Sequence, residues 1–277
     1  MTVARRALVQ LALMAGLAIM LGFVLGPFAW QVVTALKPES ELAKLPPVFP
    51  VHATLSHFSA VLRSPGFLRA GLNSVMVALL TVAAVFVMGI PAAYALAKLR
   101  LRGTHVILAM LLSLSMFPSV ANVAPLYIAA IHLGIRDSVL AVAVAQTVFT
   151  LPFAIWIMVD FLQQVPDELY RAARVDGCSH YGVLRHVVLP VALPGLLSVG
   201  LLVFIFSWNE FLYAFTLTAS ERSRTLPVAI ALFPGLHELP WGDIAAAAIL
   251  ATLPSVLLML IFERRIVSGL TAGAIKG

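Results

Sequence analysis

Six stretches of this chain contain no Asp, Glu, Lys or Arg: Ala7–Leu36, Ala70–Ala97, Gly103–Ile131, Ser138–Val159, Val187–Asn209 and Ile244–Phe262. A helix needs about 20 mostly apolar residues to cross the hydrocarbon layer of a bilayer, and each run is close to or beyond that length. Apolar residues occupy all faces of each run, as expected where lipid or other helices surround it. Strands of a membrane barrel would alternate in polarity over about ten residues, and these runs do not. The expected fold is all-α, with six transmembrane helices at about residues 8–34, 71–97, 104–130, 138–160, 188–216 and 243–263 in one transmembrane domain over 1–277. Composition agrees: 11% of residues are charged and mean hydropathy is +1.02, whereas soluble domains carry roughly 25% charged residues.

Lys and Arg in the loops set the orientation of such a chain. With the N-terminus inside, eleven of the 18 basic residues fall on the cytoplasmic side and seven outside. The short Lys98–Arg102 loop, KLRLR, is the most one-sided segment. Both termini are then cytoplasmic, residues 37–69 form the long outer connection, 161–187 an inner loop and 264–277 an inner tail. Arg5 and Arg6 precede an apolar run that is too long for a signal-peptide core of 7–15 residues, so the run reads as a retained first span. The net charge of +6 fits basic flanks of spans rather than nucleic-acid binding. The single Cys178 excludes an internal disulfide. No GxxxxGK[ST] loop, HExxH or Cys/His cluster occurs, so neither phosphate binding of that type nor a metal or other cofactor is expected.

One segment breaks the apolar pattern. ELYRAARVDGCSHYGVLRHVVLP, Glu168–Pro190, concentrates Glu168, Arg171, Arg174, Asp176 and Arg185 between two apolar runs. Pro166 suits a helix start, because its missing N–H is an orphan donor there anyway. Asp167 and Glu168 then lie in a first turn, where the helix dipole favours acids. Gly177 is placed to end the helix in a left-handed conformation, and Ser179 to cap a second short segment. Ala172 and Ala173 remove bulk, so another backbone can approach closely. The spacing describes a charged helical knob, open to two readings: a docking element for another protein or an ordinary interfacial loop.

The pattern Arg171-Ala172-Ala173, Gly177, Val187 and Leu189-Pro190 resembles the EAA motif, which marks permease subunits of bacterial ABC importers. Further stretches resemble the carbohydrate-importing branch, closest to the smaller permease of maltose- and trehalose-type systems: Thr34–Leu42, Asn73–Thr81, Pro91–Gly103, Ala124–Ser138, Phe206–Thr218 and Arg264–Gly277. The resemblance implies a type I importer permease fold in the bacterial inner membrane. It implies a second homologous permease, a pair of ATP-binding subunits and an extracytoplasmic sugar-binding protein as partners. It also implies that Glu168, Arg171, Ala172, Ala173, Asp176 and Gly177 form the coupling surface for the ATPase. The family's leading Glu is Arg171 here, with Glu168 one turn earlier. The tail alone reads as a frayed end; the resemblance implies that Thr271, Gly273 and Lys276 reach toward the ATPase subunits.

Polar groups inside the spans offer candidates for a solute path. Trp208, Asn209, Glu210, Phe211 and Tyr213 combine an intramembrane acid with aromatic faces able to stack on a sugar. The competing reading has Glu210 bonding within the bundle. Asn73, Asn122 and Gln146 suit bonds to neighbouring helices. Pro91, Pro118, Pro152 and Pro194 are expected to kink or break helices. An ion- or proton-coupled secondary transporter would normally carry acids or broken helices at the midplane, and only Glu210 qualifies. An intramembrane enzyme would need convergent catalytic groups that these spans do not offer. Within the importer reading, a non-sugar solute such as glycerol-phosphate stays open beside di- and oligosaccharides.

Overall fold

The computed structural model describes residues 3–42, 46–99, 101–233 and 240–274, and among these the side chains from 9 to 262. Lys44, Arg100, Glu238 and Lys276 lie outside the described residues, as do the side chains of Arg5, Arg6, Arg264, Arg265 and Thr271. All regular elements described are helices: α1 (Val3–Leu36), α2 (Glu39–Leu42), α3 (Ser56–Arg63), α4 (Pro65–Lys98), α5 (Thr104–Ser115), α6 (Ser119–His132), α7 (Val139–Gln163), α8 (Asp167–Val175), α9 (His180–Val183), α10 (Leu189–Asn209), α11 (Leu212–Leu217), α12 (Leu226–Ala231) and α13 (Trp241–Ala274). Five continuous helical stretches are long and apolar enough to cross a membrane, and α5 with α6 supplies a sixth if that bent pair counts as one span.

The third expected span is therefore not one rod, since α5 and α6 meet at 88°. Pro118 causes the break: it is extended at φ −60°, ψ 126°, has no N–H to continue the ladder, and disfavours helix for the residue before it. Pro91, Pro152 and Pro194 lie inside continuous helices instead. The fifth span also ends early, at Asn209, with Glu210 extended and α11 starting afresh. At its other end the continuous helical stretch begins before Leu189-Pro190, at His180. One π-helical turn, Leu184–Val188, joins α9 to α10. Leu189 N–H bonds the carbonyl of Leu184, five residues back, so the helix passes Pro190 without its N–H. The stretch between the fifth and sixth expected spans contains α12, and the tail expected to fray continues α13 to Ala274.

Contacts group the chain into two units. The first comprises residues 1–68 and 232–253. Its packed part holds Ala35, Lys37, His57, Val61 and Ala246. His57 is pinned twice, by the Asp243 carboxylate at 2.6 Å and by the Lys37 carbonyl at 3.0 Å. A β-carbon on Gly242 would meet the His57 ring at 2.4 Å, so glycine is required for this approach. Most of α1 is exposed, as suits a helix apolar on all faces whose solvent is lipid.

The second unit comprises residues 69–231 and 254–277 and has two cores. One joins α4, α7, α8, α9 and α10 around Met158, Leu162, Val183, Val188 and Leu196. The other joins α4, α6, α7, α11 and α12 around Val77, Val142, Tyr213 and Leu217. Alanines 141, 143, 145 and 154 make α7 the slender central helix, because small residues let backbones approach where lipid provides no hydrophobic drive. Asp137, at φ 62°, accepts the N–H groups of Ala219 and Ser220 at 2.7 and 2.9 Å and the Ser223 hydroxyl. Burial pushes its carboxyl up, but these hydrogen bonds outweigh that and hold it well below the usual carboxylate range.

Candidate functional site

The charged segment forms a helix with both ends specified locally. Pro166 occupies the N-cap position, and Asp167 and Glu168 fill the first turn of α8. Gly177 adopts φ +89°. Its N–H bonds the Arg174 carbonyl at 3.2 Å, while Cys178 N–H reaches back to the Ala173 carbonyl at 3.0 Å. This pair of bonds is the Schellman arrangement that needs a left-handed residue at that position. Arg174 Nη1 donates to the Cys178 carbonyl at 2.5 Å, closing the turn further. Ser179 Oγ accepts the Gly182 N–H at 3.1 Å and starts α9.

Burial divides the expected coupling residues. Glu168, Arg171, Ala172, Asp176 and Gly177 are exposed, whereas Ala173 is buried in the core with Leu162, Val165, Val183 and Leu184. Ala173 therefore lets α8 lie close to the bundle rather than contributing to its outer surface. Glu168 and Arg171 have no ion-pair partner among the described residues. Leu169, Val175 and Tyr181 stand exposed on the same knob, Val175 at 87%. Exposed apolar side chains rimmed by charge are found at contact surfaces for proteins and membranes alike.

On its inner side, α8 is held by α4. Lys98 Nζ donates to the Val165 carbonyl at 2.6 Å and to Asp167 Oδ1 at 2.9 Å. Tyr94, one turn earlier, donates its hydroxyl to the His180 carbonyl at 3.1 Å. Lys98, Leu99, Asp167, Tyr170, Arg171 and His180 line a cleft of about 520 Å³.

The intramembrane candidates separate as well. Trp208 is 5% exposed and Tyr213 1%. Trp208 stacks on Phe204, and the Tyr213 hydroxyl donates to the Ser119 carbonyl at 3.3 Å. Both are packed within the chain itself. Asn209 is exposed, with Nδ2 on the Ile205 carbonyl at 2.8 Å. Phe211 is exposed and stacks on Phe215. Glu210 accepts the N–H groups of Tyr213 at 2.8 Å and Ala214 at 3.2 Å, which serves as the cap of α11. Gln146 links the same region: its Nε2 lies 3.4 Å from Glu210 Oε2, and its Oε1 accepts the hydroxyls of Ser207 and Thr81. Asn73 donates to the carbonyls of Arg222 and Arg224, both at 2.9 Å.

Residues 53–271 match the family described as binding-protein-dependent transport system inner membrane component. The chain belongs to that family. It is a transport component of an ABC importer rather than an enzyme, and a multi-pass protein of the inner membrane. This sets aside ion-coupled secondary transport and intramembrane catalysis. Among its relatives, a trehalose transport system permease protein of Mycobacterium tuberculosis is 38% identical over 94% of this chain and 95% of its own length. A trehalose/maltose transport system permease protein of Thermococcus litoralis is 36% identical over 97% of each chain. A sulfoquinovosyl glycerol transport system permease protein of Agrobacterium fabrum is 38% identical over 91% of this chain and 88% of its own. The permease also shares its fold with a chain of a bacterial ABC transporter involved in import of the acidic polysaccharide alginate. The TM-score is 0.83 at 20% identity, covering 95% of this chain and 98% of that one. A second crystal structure of a bacterial alginate ABC transporter, in complex with an alginate pentasaccharide-bound periplasmic protein, scores 0.70 at 16% identity and covers 94% of each chain.

Proposed function

We propose that this permease is one of two homologous membrane subunits of an importer for a di- or oligosaccharide of the maltose or trehalose type. A pair of ATP-binding subunits engages it from the cytoplasm, and an extracytoplasmic sugar-binding protein delivers solute from outside. Relatives at 36–38% identity named for trehalose, trehalose/maltose and sulfoquinovosyl glycerol support the sugar reading, since each solute is a glycoside. The termini and α8 lie on the cytoplasmic side, in keeping with the basic residues there. The observation that carries the coupling role is α8 itself, a locally capped helix presenting Glu168, Arg171, Ala172, Val175, Asp176 and Gly177 outward. Closure of the ATPase pair moves this knob, and the attached spans rock between inward and outward access. Solute passes at the break of the fifth span, where Asn209 and Phe211 offer hydrogen bonding and a stacking face. Trp208 and Tyr213 form the wall behind them, and Glu210 holds the break in shape.

The test is ATP-driven uptake by vesicles carrying the complete transporter and its binding protein. Labelled trehalose and maltose are expected to accumulate and glycerol 3-phosphate is not; the reverse preference overturns the sugar reading. The same vesicles test the tail. Removing Thr271–Gly277 is expected to lower solute moved per ATP hydrolysed by about tenfold, within the usual span of a coupling free energy. An unchanged ratio removes the tail from the coupling machinery.

A further inference from the structure

We propose that Lys98 is the residue through which movement of α8 reaches α4, making it a positioning residue for coupling; this rests on the docking role given to α8 above. Lysine at the end of an apolar span ordinarily snorkels its ammonium into water. Lys98 does the opposite. Its side chain is 3% exposed, and the ammonium is turned inward onto one carbonyl and one carboxylate. Lysine is almost never fully buried unless paired, and desolvating the charge is costly unless such partners compensate it. The two acceptors occupy different parts of the chain. Val165 follows α7, and Asp167 opens the first turn of α8. One cation thus ties the last residue of α4 to the joint between the span α7 and the knob.

The other end of the knob is tied to the same face of α4. Tyr94 lies four residues before Lys98, so the two side chains stack along one side of the helix. The Tyr94 hydroxyl holds the His180 carbonyl. Its ring lies 6.5 Å from that of Tyr170 on α8, and the Tyr170 hydroxyl bonds His180 Nδ1 at 3.1 Å. The segment from Val165 to His180 is therefore fastened to α4 at both ends. A body fastened at two points cannot pivot about either one, so displacement of α8 carries α4 with it. From Lys98 to Arg69 that helix extends about 45 Å at 1.5 Å per residue, a lever reaching across the bilayer. The apolar contacts of Ala173 also join α8 to α9 and α10, but sliding contacts between smooth side chains lack the direction of a charged hydrogen bond.

The test uses the complete transporter in lipid nanodiscs, with spin labels at Arg174→Cys, exposed on α8 but outside the docking surface, and at Leu101→Cys in a Cys178→Ala background. Distances are read without nucleotide and after trapping with ATP and vanadate. The unaltered permease is expected to keep one narrow separation in both states, because α8 and the end of α4 move together. Lys98→Met is expected to broaden that separation and shift it on trapping, and to lower labelled trehalose moved per ATP hydrolysed about tenfold in vesicles. Lys98→Arg, which can reach the same acceptors, is expected to restore both readouts. Tyr94→Phe keeps the packing, loses only the His180 bond, and is expected to broaden the separation alone; it decides the matter if Lys98→Met does not fold. Wild-type separations and ratios in Lys98→Met, or in Tyr94→Phe should Lys98→Met not fold, overturn the role of this clamp while leaving the docking reading intact. If α8 is not protected by the ATPase subunits in the unaltered transporter, the docking reading itself fails.

Discussion

Gly177→Trp abolishes uptake while leaving the permease inserted in the membrane. The expectation follows from separating what the substitution does inside the chain from what it does outside. Inside, the cost is backbone strain. Gly177 sits at φ +89°, and the left-handed conformation costs an L-residue about 1–2 kcal/mol. Space is not the obstacle, because a β-carbon there meets nothing within 4 Å. Against a typical stability of roughly 5–15 kcal/mol, that strain leaves the protein folded. Outside, the indole projects from the surface that Ala172, Val175 and Asp176 share. A bulky group at the centre of a close-packed interface costs about 2–4 kcal/mol, roughly 30- to 1,000-fold in binding. Two companions divide the causes. Gly177→Ala carries the strain with little volume; Ala172→Trp carries the volume at an exposed helical position without strain. Both tryptophan variants are expected to lose uptake and to fail to retain the ATP-binding subunits, with Gly177→Ala close to wild type. Equal losses in Gly177→Ala and Gly177→Trp would assign the effect to strain, and normal uptake in Gly177→Trp would remove α8 from the docking surface.

The parts of this site that were legible in the sequence are those whose causes are local. Pro166, Gly177 and Ser179 act within a few residues of themselves, so start, stop and restart of the knob could be read from their order. The position of Ala173 could not. Its neighbour Ala172 is chemically identical, and only the rotation of α8 against Leu162 and Val183 separates an inward alanine from an outward one. In sequence Lys98 is one basic residue of a short loop that sets orientation, yet its partners lie 67 and 69 residues away. No spacing rule connects such positions. His57 with Asp243, 186 residues apart, is the same case.

The broken spans show a second limit. Hydropathy reports whether a stretch belongs in lipid, and it does so without regard to direction. Gly103–Ile131 stays apolar through the bend at Pro118, so composition alone treats two helices at 88° as one rod. The proline marked a place where the ladder could fail; whether it kinks or breaks depends on what satisfies the freed backbone groups nearby. At the fifth span the means is visible in the structure, because Glu210 supplies acceptors for the restarting helix.

That capping role makes Glu210→Leu the most damaging single change expected inside the bundle. The variant removes both acceptors and leaves the Tyr213 and Ala214 N–H groups facing apolar surroundings. An orphaned buried donor costs about 1–3 kcal/mol, and membrane depth offers few substitutes. The same change deprives Gln146 of one partner in the network with Ser207 and Thr81. Two such donors together cost about 2–6 kcal/mol, a large share of a typical stability of roughly 5–15 kcal/mol, so recovery of folded permease from membranes is expected to fall. Glu210→Gln separates this from a direct part in transport. Glutamine keeps an oxygen acceptor of the same reach, and exchanging one hydrogen bond costs about 0.5–1.5 kcal/mol. If Glu210 works as a cap, Glu210→Gln is recovered in near wild-type amounts and still drives uptake. If the charge itself handles solute, Glu210→Gln folds normally but does not transport. The pair of variants therefore assigns the one acid of the fifth span either to the architecture of the path or to its chemistry, and the two hydrogen bonds to α11 favour architecture.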